Sequence, residues 1–194
     1  MDLITISGII GVVAVLGLAV YLLFFRKKKE TAMSLRAVRG TTTARSASVT
    51  EGITSVVVNF TSVSLNGNGK RLTFNEERSI DFLSLEPNAN FLLEGKDVPA
   101  GNYDWIRLVT GTDSYVEKDG VKYSLSIPSG NTSGLKLTQG FTVPENDVAN
   151  FAIVFDVNKS LKEQTDGTYK MSPVLKLIKY VPPVVVEETV EETV

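Results

Sequence analysis

The sequence predicts an all-β domain, an antiparallel sandwich or barrel, preceded by one N-terminal transmembrane helix. Two observations predict this class. About nine short segments rich in β-branched and aromatic residues follow Ile53, and turn residues separate them. An uncharged apolar run from Leu3 to Phe25 stands at the start, and no other stretch has a helical pattern of useful length.

The apolar run is long enough to span a bilayer. Its 23 residues extend roughly 34 Å as a helix, against a hydrocarbon core of ~30 Å. The basic residues Arg26, Lys27, Lys28 and Lys29 stop it abruptly. A cleaved signal peptide is the alternative, but it would begin with basic residues and contain a shorter apolar region. We therefore predict a retained anchor over residues 1–29, with the lipid bilayer as its partner.

The segments outside the main domain are polar and charged. Residues 30–50 are rich in Thr, Ser, Ala and Arg and predict a basic flexible linker, with at most a weak strand from Ser34 to Arg39. The β domain is expected over residues 51–181. Residues 182–194 begin with two prolines, contain four glutamates and no basic residue, and are predicted to be an acidic tail.

The strands are predicted from alternation and turn chemistry. Ile53 to Leu65 is β-branched, and Asn66 to Gly69 is a hairpin signature that returns into Lys70 to Phe74. A Pro/Gly turn feeds the strand up to Val109. Phe151 to Val157 resembles a central strand that is apolar on both faces.

The two missing residue types exclude several kinds of catalytic chemistry, whereas hard-cation sites built from carboxylates and lysine or carboxylate catalysis stay possible. The chain has no cysteine and no histidine, so thiolate metal sites, cysteine nucleophiles and histidine-based triads are impossible. The carboxylates of Asp81, Asp104, Asp113 and Asp156 show no dense calcium-loop spacing. We expect no enzyme activity, metal or cofactor. Both charge signs are mixed along the domain, so no nucleic-acid partner is expected either.

Two aromatic residues are the candidate partner surface. Tyr103 and Trp105 have the same parity on one predicted strand, whereas Ile106 and Leu108 have the other. The functional interpretation is a patch that binds a glycan or a protein of the envelope. The alternative, which the sequence favours, is core packing, with Tyr103 bracing its turn as in a tyrosine corner.

Five blocks in order resemble one bacterial and archaeal family, domain of unknown function 4382. Val98 to Leu108 is similar to its "lPAGxYxxIRL" block, and Ser79 to Leu85 to its "vDLLaL" element. Ile127 to Leu137 resembles "vPSG…tGLKL", Phe155 to Ser160 resembles "DFDxxkS", and Tyr169 to Ile178 resembles the closing "Y.LkPvlrli". The resemblance covers about Ile53 to Lys179.

The resemblance implies an immunoglobulin- or transthyretin-like sandwich associated with the cell envelope, of unestablished function and without catalytic residues to carry over. Members typically open with a strand ending in "TDAP", which Leu35 to Val49 lacks. Members are also typically anchored through a lipid-modified cysteine. In this chain the apolar helix would replace that tether.

The side of the membrane and the role of the domain remain open at this point. Seven Lys/Arg between Arg26 and Arg45 place the domain in the cytoplasm by the positive-inside rule, whereas the resemblance places it in the periplasm or outside the cell, which we favour. The expected function is a membrane-tethered, non-catalytic envelope module that is structural or binds a partner. The alternative is a homo-oligomeric subunit of a filament or a larger membrane-associated assembly, with the apolar helices in its core.

Overall fold

The computed structural model describes residues 30–40, 51–85 and 90–181 of the 194-residue chain. The predicted anchor with its stop at Arg26 to Lys29, part of the predicted linker and the acidic tail lie outside these residues. Within the described ranges, no helix is long and apolar enough to cross a membrane. The described part is mostly β-structure arranged in two mixed sheets.

The smaller sheet has four strands, β1 (Glu30–Arg39), β5 (Phe91–Pro99), β11 (Ala149–Phe155) and β14 (Leu175–Lys179). Their order in the sheet is β14-β11-β1-β5. β1 pairs in parallel with β11 and antiparallel with β5.

The larger sheet has ten strands. They are β2 (Ile53–Gly67), β3 (Lys70–Phe74), β4 (Arg78–Asp81), β6 (Gly101–Thr110), β7 (Tyr115–Lys118), β8 (Val121–Ser126), β9 (Leu135–Leu137), β10 (Phe141–Val143), β12 (Leu161–Glu163) and β13 (Tyr169–Met171). The main order is β10-β6-β2-β7-β8-β13-β12, with β3 and β4 paired to β2 and β9 paired to β6. One short helix, α1 (Val157–Ser160), follows β11.

Two parallel pairs correct the expectation of an antiparallel fold. β1 runs parallel to β11, and β13 runs parallel to β8. In each case many residues separate the two strands along the chain, as a parallel pair requires. Turn residues in the sequence predict only hairpins between neighbouring strands. They therefore do not predict the pairing of β1 with β11 or of β13 with β8.

The first ten residues of the predicted linker form a strand. Glu30–Arg39 is β1, an inner strand of the four-stranded sheet. Met33, Leu35 and Ala37 are buried at 0%, 0% and 3% exposure. Ser34 and Arg36 stand between them, so the apolar/polar alternation of a strand is present, although only over a short stretch. This finding corrects the prediction of a flexible linker over residues 30–39 and confirms the weak strand predicted from Ser34 to Arg39. The strand begins earlier than the sequence indicates because β1 gains its stability from strands more than 50 residues away.

Both sheets contribute to one hydrophobic core. Phe82 links them: its ring lies 4.3 Å from that of Phe155 on β11 and 6.4 Å from that of Phe60 on β2, measured between centroids. Phe60 and Phe155 also meet edge to face at 6.3 Å. These rings hold the two sheets face to face.

A β-bulge in β2 changes which side chains face the core. Phe60 pairs with Thr110 and Ser62 with Val109, so Thr61 is the extra residue. Val58 and Phe60 are buried before the bulge, and Val63 is buried after it. The inserted residue shifts the alternation by one position, which allows a 15-residue strand to pair with different partners along its length.

The carboxylate of Asp81 organises the turn after β4. It accepts hydrogen bonds from Ser55 Oγ at 2.7 Å and from the backbone N–H groups of Val56 and Leu83 at 3.0 Å each. Burial opposes ionisation, but these hydrogen bonds outweigh it and lower the pKa of Asp81 below its ordinary value of 3.8. The ionised carboxylate therefore stabilises the turn.

Asp81 is expected to make the domain sensitive to acid. Its folded-state pKa lies below the unfolded value, so its contribution to stability is complete above the unfolded pKa and is lost as pH falls through the folded pKa. Urea midpoints of wild type and Asp81→Asn, measured from about pH 6 downwards, should converge at low pH. Glu94→Gln, at an exposed position of β5, is the control. Curves for Asp81→Asn and wild type that stay parallel would contradict this role.

Candidate functional site

Trp105 lies on the outward face of the ten-stranded sheet beneath three cationic side chains. The guanidinium carbons of Arg71 and Arg107 lie 5.0 and 5.1 Å from its ring centroid, and Nζ of Lys136 lies 5.0 Å from it. Only 9% of Trp105 is exposed. We call these four residues, Arg71, Trp105, Arg107 and Lys136, the Trp105 surface.

Strand register brings these residues together. Asn66 on β2 pairs with Arg71 on β3 on one side and with Trp105 on β6 on the other. Arg107 follows Trp105 by two residues, so it shares the same face. It pairs in turn with Lys136 on β9. Three strands, β3, β6 and β9, therefore build one surface from residues spread along the chain from position 71 to 136.

Gly134 allows the stem of Arg107 to lie flat on the sheet. Its φ is +70°, and a Cβ atom there would lie 2.8 Å from Cγ of Arg107 and 2.9 Å from the carbonyl oxygen of Leu108. Only glycine combines this backbone conformation with so close an approach. The glycine before β9 therefore fixes the path of one of the three cations.

The three cations lack acidic partners among the described residues. The ion pairs of residues 30–40, 51–85 and 90–181 are formed by other side chains. Nε of Arg107 is buried without a hydrogen-bond partner. One carboxylate stands at the edge, where Asp104 accepts a hydrogen bond from Asn66 Nδ2 at 3.3 Å. The surface is therefore positive, and cation–π contacts hold its charges in place.

This arrangement suits the recognition of anions. Arginine offers planar pairs of N–H donors that match phosphate and carboxylate oxygens, and lysine adds a point charge. Ser64 pairs with Arg107 on one side and with Thr73 on the other. The hydroxyls of Ser64 and Thr73 lie 3.0 Å apart at the border of the Trp105 surface. The indole is covered by the cations, so a neutral sugar has no free ring to stack on. The accessible chemistry is donation of charged hydrogen bonds.

Tyr103 and Trp105 do not form a common surface. Asn66 pairs with Trp105 and Gly67 with Tyr103, so Asp104 is an extra residue in a bulge. The bulge turns Tyr103 into the core, where its ring stacks on Phe141 with the centroids 5.2 Å apart. Equal parity in the sequence is therefore not preserved in space.

The hydroxyl of Tyr103 forms the brace that a tyrosine corner would form. It donates a hydrogen bond of 2.8 Å to the carbonyl oxygen of Pro99, four residues earlier and across the β5–β6 turn. Tyr103 is 2% exposed, and burial raises its pKa above the ordinary value of 10.0. Tyr103 therefore holds the turn that leads into the strand carrying Trp105.

Removing this brace should destabilise the domain. Tyr103→Phe leaves the buried carbonyl of Pro99 without its donor, so we expect the free energy of unfolding to fall by about 1–3 kcal/mol. Urea unfolding of the full chain in detergent measures it. Tyr123→Phe is the matched control, because no hydrogen bond of the Tyr123 hydroxyl is seen in the described structure. Equal losses for the two variants would contradict the role of Tyr103.

Sequence reasoning missed the three cations of the surface. Arg107 was visible in principle, because it lies two residues after Trp105 on the same strand. Arg71 follows from the Asn66 to Gly69 hairpin, which places it beside Asn66. Lys136 had no local signal, since β9 pairs with a strand about 30 residues earlier.

The candidate carboxylates do not converge. Asp81 caps a turn, and Asp156 accepts a hydrogen bond from the backbone N–H of Lys159 at 3.2 Å while pairing with its ammonium group at 3.1 Å. Among the residues that the structure describes, no three acidic side chains are grouped to hold a metal ion.

The comparison with known proteins identifies the family. A family described as "domain of unknown function (DUF4382)" matches residues 46–173, about two thirds of the chain, which confirms the resemblance drawn from the five sequence blocks. No curated protein and no solved structure matches the chain. The matched region contains all four residues of the Trp105 surface, whereas β1 and β14 lie outside it. The chain belongs to the DUF4382 family.

Proposed function

We propose that this chain is a membrane-tethered, non-catalytic module of the cell envelope that binds an anionic partner through the Trp105 surface. One observation carries the proposal: three cationic side chains are held on a single indole without an acidic partner in the described structure. Unpaired charge that is fixed in position is what an anion-binding surface requires.

The tether is proposed from the sequence and from the position of β1. The predicted span ends at Phe25, and β1 begins at Glu30. The four residues between them extend at most about 14 Å, so the end of the domain where Glu30 pairs with Pro99 would face the bilayer. The family resemblance supports two further parts of the proposal, a location in the cell envelope and an immunoglobulin- or transthyretin-like fold of the domain.

The partner that fits best is a phosphate- or carboxylate-bearing polymer of the envelope. Cations spaced across neighbouring strands contact several anionic groups at once. The covered indole argues against a neutral glycan as ligand. The absence of histidine and cysteine from the sequence supports binding without catalysis.

Binding of a model polyanion tests the proposal. The full chain in zwitterionic nanodiscs is titrated with polyphosphate at low salt. The triple variant Arg71→Gln, Arg107→Gln, Lys136→Gln should bind about 100-fold more weakly, since each of three partly solvated contacts contributes ~1 kcal/mol. Added salt should weaken binding by the wild type and leave the variant little changed.

A neighbouring lysine supplies the control. Lys70 is exposed, lies next to Arg71, and makes no contact with the indole. Lys70→Gln removes one charge nearby and should change the dissociation constant less than threefold, or about 0.6 kcal/mol. Equal affinities of wild type and triple variant, or an equal loss in Lys70→Gln, would reject the Trp105 surface as the binding site.

The filament subunit is the second candidate. The short connection between the predicted anchor and β1 favours it, because bundled helices would then hold the domains at fixed positions around a core. Electron microscopy of detergent-free material distinguishes the two. Ordered filaments would support assembly, and small particles alone would reject it.

A further inference from the structure

A cavity of about 370 Å³ opens at the bulge of β2. Its volume lies within the range of roughly 300–1,000 Å³ that is typical of small-molecule sites. We call it the bulge cavity and define it by five polar residues of its lining: Asn59, Thr61, Glu77, Ser79 and Asp113.

A change of neighbours along β2 leaves this space open. On one side of β2, β4 pairs with it as far as Phe60, and β3 pairs with it from Val63 onward. Within the described residues, no strand pairs on that side with the positions in between, where Thr61 is inserted. The bulge cavity therefore results from the way in which the ten-stranded sheet is paired.

Strand pairing also decides which side chains the bulge cavity presents. Asn59 pairs with Ser79 of β4, and Phe60, next to Asn59, is buried in the core. Because side chains alternate along a strand, Asn59 and Ser79 face outward. Arg78, which also lines the cavity, pairs with Phe60, so its side chain has the opposite orientation. Its Nη2 donates a hydrogen bond of 2.9 Å to Glu76, which balances its charge.

The bulge cavity is rich in hydrogen-bond acceptors. Asn59 Nδ2 already donates to the carbonyl oxygen of Asp113 at 2.9 Å, and Thr61 Oγ1 donates to that of Val109 at 3.4 Å. Their side-chain oxygens remain as acceptors. The carboxylates of Glu77 and Asp113 form no ion pair within the described ranges. The group that fits this lining is therefore a hydrogen-bond donor without negative charge, such as a hydroxyl group.

The bulge cavity and the Trp105 surface share one face of the ten-stranded sheet. Ser62 and Ser64 flank the buried Val63, so they face outward. Ser64 pairs with Arg107 of the Trp105 surface. From Ser64 to Asn59 the strand extends about 16 Å, at ~3.3 Å per residue. Polar side chains of β2 therefore connect the three cations with the bulge cavity.

We propose that the bulge cavity is a second subsite for the polymer that binds the Trp105 surface, and that it takes an uncharged, hydroxyl-bearing unit of that polymer. This inference rests on the proposed function and narrows its ligand to a polymer whose anionic groups are separated by polyol or sugar units. Such a polymer places anionic groups on the three cations and hydroxyl groups in the bulge cavity. A polymer without uncharged units, such as polyphosphate, gains nothing there, because Glu77 and Asp113 repel it.

Blocking the bulge cavity tests the inference. Ser79→Leu, at an exposed position of β4, places a larger apolar side chain in the cavity. The full chain in zwitterionic nanodiscs is titrated calorimetrically with poly(glycerol phosphate) or with polyphosphate of the same number of phosphates. We expect Ser79→Leu to weaken binding of poly(glycerol phosphate) about tenfold, because hydrogen bonds to its hydroxyl groups are lost, and to change binding of polyphosphate less than about threefold.

Two further variants complete the test. Ser126→Leu, at an exposed position of β8 outside the cavity, is the matched control and should leave both affinities within about threefold of wild type. Gly111→Ala is a milder block. Its Cβ would lie 3.6 Å from Cβ of Asn59 and 3.6 Å from Cγ2 of Thr61, which are ordinary contacts. It should therefore fold normally and weaken binding of poly(glycerol phosphate) alone.

The two ligands separate failure of this inference from failure of the proposed function. The second subsite is overturned if wild type does not bind poly(glycerol phosphate), or if Ser79→Leu binds it as tightly as Ser126→Leu does. Equal losses for both ligands in Ser79→Leu and Gly111→Ala would overturn it as well. The proposed function fails separately, if the triple variant of the Trp105 surface binds polyphosphate as tightly as wild type.

Discussion

Leu35→Ala is expected to lower the free energy of unfolding by about 2–5 kcal/mol. Leu35 is 0% exposed on β1 and pairs with Phe151 of β11 on one side and with Leu93 of β5 on the other. Truncation leaves a cavity in the middle of the four-stranded sheet, where both neighbours are fixed by their own pairings. The loss would remove a large part of the stability of a typical domain.

Urea unfolding of the full chain in detergent measures this loss. Arg39→Ala, at the exposed end of the same strand, is the control and should change stability by less than about 0.5 kcal/mol. If β1 were a linker and not part of the fold, the two substitutions would have the same small effect. That outcome would contradict the position of β1 described above.

Phe82→Ala should cost about 3–5 kcal/mol. The ring is 0% exposed and contacts Phe60 in one sheet and Phe155 in the other. Its removal takes away apolar burial and two aromatic contacts that join the sheets. Phe74→Ala is the matched control, because Phe74 is only half-buried at the rim of the core.

Urea unfolding distinguishes the two phenylalanines. The loss in Phe82→Ala should clearly exceed that in Phe74→Ala, and the slope of the transition should stay close to that of the wild type. Losses of the same size would mean that Phe82 does not link the sheets. A shallower transition in Phe82→Ala alone would indicate that the two sheets unfold separately, against the single core described here.

Local signals in the sequence predicted much of the fold. The hairpin at Asn66 to Gly69 and the strands β2, β3 and β6 lie where alternation and turn residues place them. These elements depend on nearby partners, and their turn chemistry is explicit. The family was likewise identifiable, because its blocks are dense in turn residues at fixed spacing.

Distant pairing accounts for what the sequence did not show. β1 contains Ser and Arg between its buried residues, and its neighbours lie at residues 91–99 and 149–155. The short strand β12 (Leu161–Glu163) has only one buried residue and was missed. β1 alternates apolar and polar residues only over a short stretch, which predicted a weak strand from Ser34 to Arg39, and β12 is shorter still. The assembled sheet stabilises both strands.

The candidate site shows the same limit at the level of single residues. The alternation along the strand predicted that Tyr103 and Trp105 lie on the same face of the sheet. The bulge at Asp104 puts them on opposite faces. Bulges depend on the partner strand, so a single strand read alone does not reveal them. The cations on Trp105 belong to three different strands, whereas the sequence predicted a binding surface on β6 alone.

The emission of Trp105 tests the central claim most directly, because it is the only tryptophan in the chain. A polyanion that binds the Trp105 surface draws Arg71, Arg107 and Lys136 toward itself and alters their contacts with the indole. Titration of the full chain in zwitterionic nanodiscs with polyphosphate should therefore change the emission, saturating at the dissociation constant found by direct binding. Binding of polyphosphate with no change in Trp105 emission would contradict the account.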